Sequence, residues 1–466
     1  MFDPAIQYRC TIIRGKAQKE LDNLLPAYAN IITDICPCNK AQFDDDFNAR
    51  LSSIIYDDNF ENLTTNNKKT IRNHITEIAG KLFGLYFIIE DTIYESESNK
   101  KLLDDSDQPA FFKNLCLNFQ FPNGTQKIQT IKERIGDNIR FKPFHFILAL
   151  ISKAKYKKIT LTSDEIGYYV LNAKQVLQGL ISVDEVLNKI SIDRENKSSN
   201  KLKAGSYNVQ HIREQFNLLV LANLIYFEDD FIFLNESEKA ITSIFINDYN
   251  SPLKFDIYDY NLKVEEDKKL MYSEWSEYFG KVAVEDYTLI STSVEALQGQ
   301  KVAEIETVVV EKKGTNKKEL GDAGESYVFE LEKSRVSKTH PRLVNKVLLF
   351  GEQRGLGYDI LSVEADENKI DPEFARFIEV KSTKRVTEPD LNDTSWVDTI
   401  GLTRKEWIAA KQYGIAYNIY RVYFTPRDTI VRKINNPYAK NQNNLIAVLP
   451  TAYRMDFSSQ SIDKQY

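Results

Sequence analysis

Two short apolar segments that each carry acidic residues constrain this chain more than any other feature. They lie within Gly355–Lys384 and are separated by a polar loop that contains a proline, which predicts a β-hairpin with an irregular connection. In the second segment Glu379 and Lys381 are two residues apart, so they share one face of the predicted strand. Ile378 and Val380 share the other face. Charged side chains on an apolar strand cost free energy, which indicates that a function uses them.

The first segment contributes Asp359, which forms a pair of carboxylates with Glu379. Two carboxylates suit a hard cation that prefers oxygen ligands, such as Mg²⁺ or Mn²⁺, and the carbonyl of Val380 would complete the protein's share of the ligands. Lys381 beside such an ion would orient or deprotonate a water molecule. The hairpin therefore predicts metal-assisted attack on a phosphodiester.

At these residues the sequence resembles a known superfamily. Asp359 followed by Glu379-Val380-Lys381 resembles the PD-(D/E)xK signature of the restriction-endonuclease-like nucleases, with Tyr358 in place of the proline. That departure is shared by many members. Longer segments occur in the same order as in the nuclease-like domain at the C-terminus of NO VEIN proteins, which is also found in bacterial restriction systems. These segments are Gly321–Glu325, Gly357–Ile360, Ile378–Thr383 and Leu402–Trp407.

The resemblance covers roughly residues 321–426 and implies an α/β nuclease domain over residues 321–466, with a mixed central sheet and helices on its faces. It implies that Asp359, Glu379 and Lys381 are catalytic. In related nucleases a glutamate early in the first helix approaches the metal, which makes Glu325 a further candidate. The alternative is that Glu325 only interacts favourably with the helix dipole. Ser382 and Thr383, which follow the motif, are candidate DNA contacts.

Local patterns predict the other elements of this domain. Thr403 and Glu406 form a capping box that predicts a helix over Arg404–Tyr413. Aromatic and β-branched residues predict a strand over Tyr417–Phe424. An apolar run after His340-Pro341-Arg342 predicts another strand over Leu343–Phe350, and a helix begins near Gly321.

The N-terminal part of the chain shows the same order of elements twice. In the first copy, apolar spacing predicts helices over Lys16–Ile35, which Pro26 should kink or split, over Phe43–Tyr56, and over Lys68–Phe83. A hairpin over Leu85–Tyr94 follows.

In the second copy, Thr162 and Glu165 form a capping box, a helix is predicted over Asn208–Ala222, and a hairpin spans Leu224–Leu234. Two helices followed by a hairpin are typical of a winged helix. We therefore predict winged-helix-like domains over residues 1–105 and 106–290, the second with an insertion, and a linker over residues 291–320. Winged helices also serve as protein–protein spacers, which is the alternative.

The presumed recognition helices carry side chains that suit DNA. Arg, Asn and Gln form paired hydrogen bonds with base edges, and lysine contacts phosphates. The candidates are Lys68, Lys69 and Arg72 in the first copy, and Asn208, Gln210 and Arg213 in the second.

Composition agrees with an intracellular enzyme. A formal charge of −6 argues against a protein coated in basic charge, although a nuclease can confine positive charge to a cleft. The four cysteines lack zinc-site spacing and are expected to be free thiols. We expect a cytoplasmic location, because there is no leader pattern and no long apolar run.

Together these patterns predict a type II-like restriction endonuclease that cleaves double-stranded DNA at a specific sequence. A nuclease that acts on modified DNA or within a defence complex is an alternative. A DNA-binding regulator with an inactive nuclease fold is the contrasting class. One catalytic site cuts one strand, so duplex cleavage needs a homodimer or two successive events, and a companion DNA methyltransferase is expected in the same system.

Overall fold

The computed structural model describes most of the chain. The described residues are 8, 10, 18–198, 207–299, 316–351, 356–365, 371–390, 392 and 396–448, without the side chains of residues 18–19, 207–211 and 316–317. The chain divides into two compact units. Unit 1 comprises Met1–Gly324, Ser382–Ile400 and Val422–Val431, and unit 2 comprises Glu325–Lys381, Gly401–Arg421 and Arg432–Tyr466.

Residues before the C-terminal third form a helix-rich region. Its helices are α1 (Gln18–Ile35), α2 (Lys40–Tyr56), α3 (Thr65–Asn73), α4 (Glu97–Asp105), α5 (Gln108–Asn118), α6 (Ile128–Gly136), α7 (Pro143–Tyr156), α8 (Ser163–Ile166), α9 (Lys174–Leu177), α10 (Val183–Glu195), α11 (Tyr207–Leu221), α12 (Lys239–Asp248), α13 (Glu265–Phe279) and α14 (Val294–Gln298). Its strands are β1 (Cys38–Asn39), β2 (Tyr86–Ile89), β3 (Thr92–Glu95), β4 (Leu161–Thr162), β5 (Ile225–Glu228) and β6 (Phe231–Leu234). Helix α3 continues into a π-helical segment, His74–Leu82, and α8 into another, Gly167–Leu171.

Helix α1 is not split by its internal Pro26. Leu25, Tyr28 and Ile32 on its apolar face are fully buried. Burying such side chains stabilises the fold by about 1.5–3 kcal/mol each, which together exceeds the cost of about 3 kcal/mol for an internal proline. The Asn30 amide also donates a 2.7 Å hydrogen bond to the Pro26 carbonyl.

The predicted repeat of helices and hairpin is present. Each copy forms a three-stranded sheet, in the orders β1-β3-β2 and β4-β6-β5, in which a short preceding strand pairs with the second strand of the hairpin. The hairpins even carry matching stacked aromatic pairs, Phe87 with Tyr94 and Tyr226 with Phe233, each with ring centroids 5.6 Å apart. This arrangement is the one that a winged helix requires, and the winged-helix assignment itself stays a prediction.

One hydrophobic core joins residues from both predicted recognition domains, from Tyr8 to Ile290. Helix α5 is buried along its whole length. The first residues of the predicted linker are part of unit 1. Thr292 is fully buried there, and helix α14 follows it. Residues 300–315 of that linker lie outside the described residues.

The C-terminal third contains a mixed five-stranded sheet in the order β11-β10-β9-β8-β7. Its elements are α15 (Asn316–Thr339), β7 (Leu348–Leu349), β8 (Ile360–Val363), β9 (Ala375–Lys384), α16 (Arg404–Tyr413), β10 (Tyr417–Phe424), β11 (Thr429–Asn435) and α17 (Pro437–Gln442). Helix α16 and strand β10 have the predicted bounds, and both hydrogen bonds of the Thr403–Glu406 capping box are present. None of the helices in the described ranges is both long and apolar enough to span a bilayer.

Two predictions for this region were wrong. The first half of the strand expected over Leu343–Phe350 belongs to a 3₁₀ helix, Pro341–Lys346, and within that range only Leu348–Leu349 form a strand. Proline fixes the backbone at the start of that helix. The helix predicted to begin near Gly321 begins at Asn316 instead. Glu325 therefore lies well beyond the first turn of α15. The helix dipole acts within the first turn, so it does not account for this glutamate.

Candidate active site

The antiparallel pairing of β8 with β9 places the two predicted metal ligands opposite each other. Ile360 pairs with Ile378, and the same register one residue further sets Asp359 opposite Glu379. Asp359 Oδ2 accepts a 2.7 Å hydrogen bond from the backbone N–H of Val380. The predicted hairpin is therefore confirmed, although residues 355 and 366–370 of the segment lie outside the described residues.

Lys381 is held between two carboxylates. Its Nζ lies 2.7 Å from Oε1 of Glu379 and 3.0 Å from Oε2 of Glu406, which is in the first turn of α16. The Glu379 side chain is buried, with only 4% of the residue exposed. We call Asp359, Glu379, Lys381 and Glu406 the Asp359 cluster.

The Asp359 cluster has more negative than positive charge. Burial raises the pKa of Glu379 to about 8, and the charges of Asp359 and Glu406 add to this effect against the opposing effect of Lys381. Burial also raises the pKa of Asp359, and Glu406 contributes, while the Val380 N–H and Lys381 lower it. One ammonium group therefore does not compensate three buried or half-buried carboxylates.

Residues around Asp359 fix the backbone that carries it. The Tyr417 hydroxyl donates a 2.8 Å hydrogen bond to the Gly357 carbonyl. Gly357 has a φ of +79°, and a Cβ there would lie 2.9 Å from the carbonyl oxygen of Lys405, so glycine is required. Tyr358, which replaces the proline of the signature, packs edge-on against the ring of Phe377 at 4.9 Å. These contacts leave little freedom in the turn that leads into Asp359.

The cluster fits a small divalent cation by the chemistry of its donors. Within the described ranges, no group of three or more His, Cys, Asp and Glu residues is arranged to hold a metal. Mg²⁺, however, usually binds through one or two carboxylates and keeps several water molecules. Two facing carboxylates with raised pKa values supply such a site, and a cation would relieve their repulsion.

The other candidates in this domain have different surroundings. Oε2 of Glu325 lies so close to Gly351 that a Cβ at that position would be 1.7 Å away. The hydroxyl of Ser382 is buried and makes no hydrogen bond to any described residue. Thr383 is buried as well, and its hydroxyl donates to the carbonyl of Ser106 at 3.2 Å. A DNA contact by Thr383 would require this packing to open.

The predicted DNA-reading residues are partly exposed. Lys69 and Arg72 are exposed on α3, while Lys68 is half-buried and forms a 3.0 Å ion pair with Glu61. The cationic groups of Lys68 and Arg72 lie over the Phe60 ring, 5.4 and 5.6 Å from its centroid. On α11, Arg213 is exposed, and the side chains of Asn208 and Gln210 lie outside the described residues.

Sequence reasoning recognised Glu406 only as a helix cap. The signal for a second role was its place in the segment Leu402–Trp407, which already carried the resemblance to a nuclease. A capping box satisfies a glutamate locally, so the pattern alone gave no reason to expect a long-range partner.

Comparison with known proteins covers both parts of the chain. A family model described as restriction endonuclease BpuJI, N-terminal, matches residues 2–276. A second model, described as protein NO VEIN, C-terminal, matches residues 324–434 and confirms the resemblance noted in the sequence. Among curated proteins there is no match.

A solved structure agrees with the first of these matches. It shows the BpuJ1 endonuclease binding domain in complex with pyrene- and phenanthrene-modified DNA. The chain is 46% identical to that domain with a TM-score of 0.56, and the match covers 60% of this chain and 100% of that one. Because the family match extends over more than half of the sequence, the chain belongs to the restriction endonuclease BpuJI N-terminal family.

Proposed function

We propose that this chain is a sequence-specific restriction endonuclease that hydrolyses phosphodiester bonds of double-stranded DNA by means of Mg²⁺ or Mn²⁺. The observation that carries the proposal is the combination in one chain of two parts. The N-terminal part is similar to a binding domain solved with DNA, and the C-terminal part sets Asp359 opposite Glu379 with Lys381 beside them.

In this proposal the residues of the Asp359 cluster have separate roles in catalysis. Asp359, Glu379 and the Val380 carbonyl hold the cation, which when bound polarises the phosphate and lowers the pKa of a bound water. Lys381 orients the attacking water and stabilises the negative charge that builds on the phosphate. Glu325 is a further candidate for approaching the metal, and E325Q compared with wild type under single-turnover conditions tests that role.

The N-terminal region is proposed to choose the sequence through winged-helix-like domains. A helix fits the major groove, where all base pairs are distinguishable. The proposed contacts are Lys68, Lys69 and Arg72 on α3, Asn208, Gln210 and Arg213 on α11, and Ser382 and Thr383 after the motif strand. Arg72→Ala or Arg213→Ala should lose about 1–3 kcal/mol of discrimination if the side chain contacts a base edge. A phosphate contact would weaken binding to all sequences alike.

Two alternatives remain distinct from this proposal. Cleavage of modified DNA, or cleavage only within a defence complex, would keep the same catalytic residues. A non-catalytic DNA-binding regulator would not need Asp359, Glu379 and Lys381 together, and their presence favours an enzyme. A homodimer, or two successive cuts, and a companion methyltransferase that protects the host DNA belong to the proposal.

The experiment that tests the proposal uses the full chain. Unmodified and methylated plasmid DNA are incubated with the purified protein, with Mg²⁺ and with EDTA, and the products are resolved on a gel. The proposal expects discrete fragments from unmodified DNA with Mg²⁺ only. Cleavage of methylated DNA alone would support modification dependence, and tight site-specific binding without any cleavage would support the regulator.

A further inference from the structure

We propose that Glu406 is a positioning residue for Lys381, so that one carboxylate both caps helix α16 and fixes the catalytic ammonium group. This inference rests on the proposed nuclease function and deepens it. It is based on the position of Glu406 on a different element from the motif strand: Glu379 and Lys381 are both on β9, whereas Glu406 is on α16.

The carboxylate of Glu406 is fixed by the helix that it caps. Its Oε2 accepts a 3.0 Å hydrogen bond from the backbone N–H of Thr403, and the Thr403 hydroxyl accepts one of 3.3 Å from the N–H of Glu406. The same Oε2 lies 3.0 Å from Nζ of Lys381. The position of the lysine head group is therefore tied to the first turn of a helix.

Capping alone does not require this contact. Ser182 and Glu185 form the same capping box at the start of α10, and Glu185 is exposed to solvent. Its Oε2 accepts a 2.7 Å bond from the Ser182 N–H, with no lysine among the hydrogen-bond partners described for it. Glu406 differs because it is turned towards a buried strand, and the lysine contact is an addition to its capping role.

The proposed reaction requires that Lys381 stay in place, and the contact with Glu406 serves this need. Glu379 is the other partner of Lys381, and it is also a proposed metal ligand. A cation held by Glu379 would compete with Lys381 for the same carboxylate oxygens, so Glu379 would then hold the lysine less well. A lysine has a flexible stem and a single point charge, so it needs a second anchor to stay at the attacking water. Glu406 supplies that anchor from outside the motif.

The test compares Glu406→Gln with Glu185→Gln in the full chain. Glutamine also serves at this position of a capping box, so E406Q keeps the helix start and removes only the charge. We expect E406Q to reduce kcat by about 10- to 100-fold, because displacement of a catalytic group by about 1 Å has an effect of this order. KM for DNA should stay close to wild type, and E185Q should leave both kcat and KM unchanged.

A second readout does not depend on cleavage. In metal-free protein, the rate of reductive methylation of Lys381 is measured by peptide mass spectrometry. We expect this rate to rise several-fold in E406Q and to stay at the wild-type value in E185Q. An unchanged rate in E406Q would overturn the proposal, whatever happens to kcat. If the wild-type chain cuts no DNA, the nuclease proposal fails, while the methylation rates still decide whether Glu406 holds Lys381.

Discussion

Strand β9 carries two lysines in buried charge clusters of opposite character. Lys384 belongs to the Asp107 cluster of unit 1, which consists of Asp107, Lys113, Glu238 and Lys384. Its Nζ lies 2.9 Å from Oδ2 of Asp107, and Nζ of Lys113 lies 2.7 Å from Oε1 of Glu238. Two ammonium groups therefore face two carboxylates. In the Asp359 cluster of unit 2, Lys381 alone faces three.

The two clusters differ in the balance of charge, and the most buried carboxylate of each shows the effect of that balance. Asp107 is fully buried and Glu379 nearly so. Burial raises the pKa of Asp107, but Lys384, Lys113 and the N–H of Thr292 together lower it by more than burial raises it. The pKa of Asp107 therefore lies below its ordinary value. The pKa of Glu379 is raised instead. A balanced cluster stabilises the fold, whereas a cluster with excess like charge and raised carboxyl pKa values is a candidate functional site.

The largest expected effect on stability comes from breaking the balanced cluster. Lys384→Ala leaves Asp107 buried with one cation fewer, and loss of one partner of a buried pair costs about 3–5 kcal/mol. Urea unfolding of the full chain measures this change. Lys40→Ala is the control, because its ion pair with Asp44 is exposed and such pairs contribute about 0–1 kcal/mol. Equal stability of the two variants would contradict the comparison.

Removing the single cation of the unbalanced cluster should act mainly on catalysis. Lys381→Ala is expected to lower the cleavage rate by ~10²-fold or more, which is about 2.7 kcal/mol, because it removes a group that stabilises the transition state. Lys381→Arg should not rescue the rate, since a planar guanidinium cannot replace a compact ammonium group. Single-turnover cleavage with Mg²⁺ measures both variants. Full activity of the arginine variant would show that the geometry proposed here is wrong.

A smaller effect, on the melting temperature, is expected from reducing the excess negative charge of the Asp359 cluster. Glu379→Gln removes one of the repelling charges, so the metal-free protein should melt higher, by an amount on the order of a few degrees. The raised pKa sets the pH window: the cost of the charged carboxyl starts above its ordinary pKa of 4.5 and is complete above a pH of about 8. The difference in melting temperature should therefore be largest above pH 8 and vanish near pH 4.5. A difference in melting temperature that grows as the pH falls would contradict the raised pKa of Glu379.

Local sequence patterns predicted those features of the site that depend on residues only a few positions apart. The alternation along β9 gave the shared face of Glu379 and Lys381, and the capping box gave the start of α16. The strand expected over Leu343–Phe350 was wrong because an apolar run does not distinguish a strand from a 3₁₀ helix that begins at a proline.

Glu406, the second partner of Lys381, and Asp107, the partner of Lys384, could not be predicted, because both lie far from β9 in the sequence. Nothing near Lys384 in the sequence points to Asp107, and Arg385 beside it is buried 3.6 Å from Asp22. Since Ser382–Ile400 belongs to unit 1, we expect a fragment of residues 300–466 to leave these charges without partners. Tests of where specificity resides therefore need the full chain.

The measurement that tests the account most directly is cleavage of plasmid DNA by wild type, Asp359→Ala and Glu379→Ala over a series of Mg²⁺ concentrations, with DNA binding measured on the same samples. We expect wild type to cut only with metal. Both variants should bind DNA as wild type does and cut at no Mg²⁺ concentration. Cleavage by either variant at the wild-type rate and with the same pattern, or cleavage by wild type in EDTA, would contradict the assignment of this cluster as the metal-dependent nuclease site.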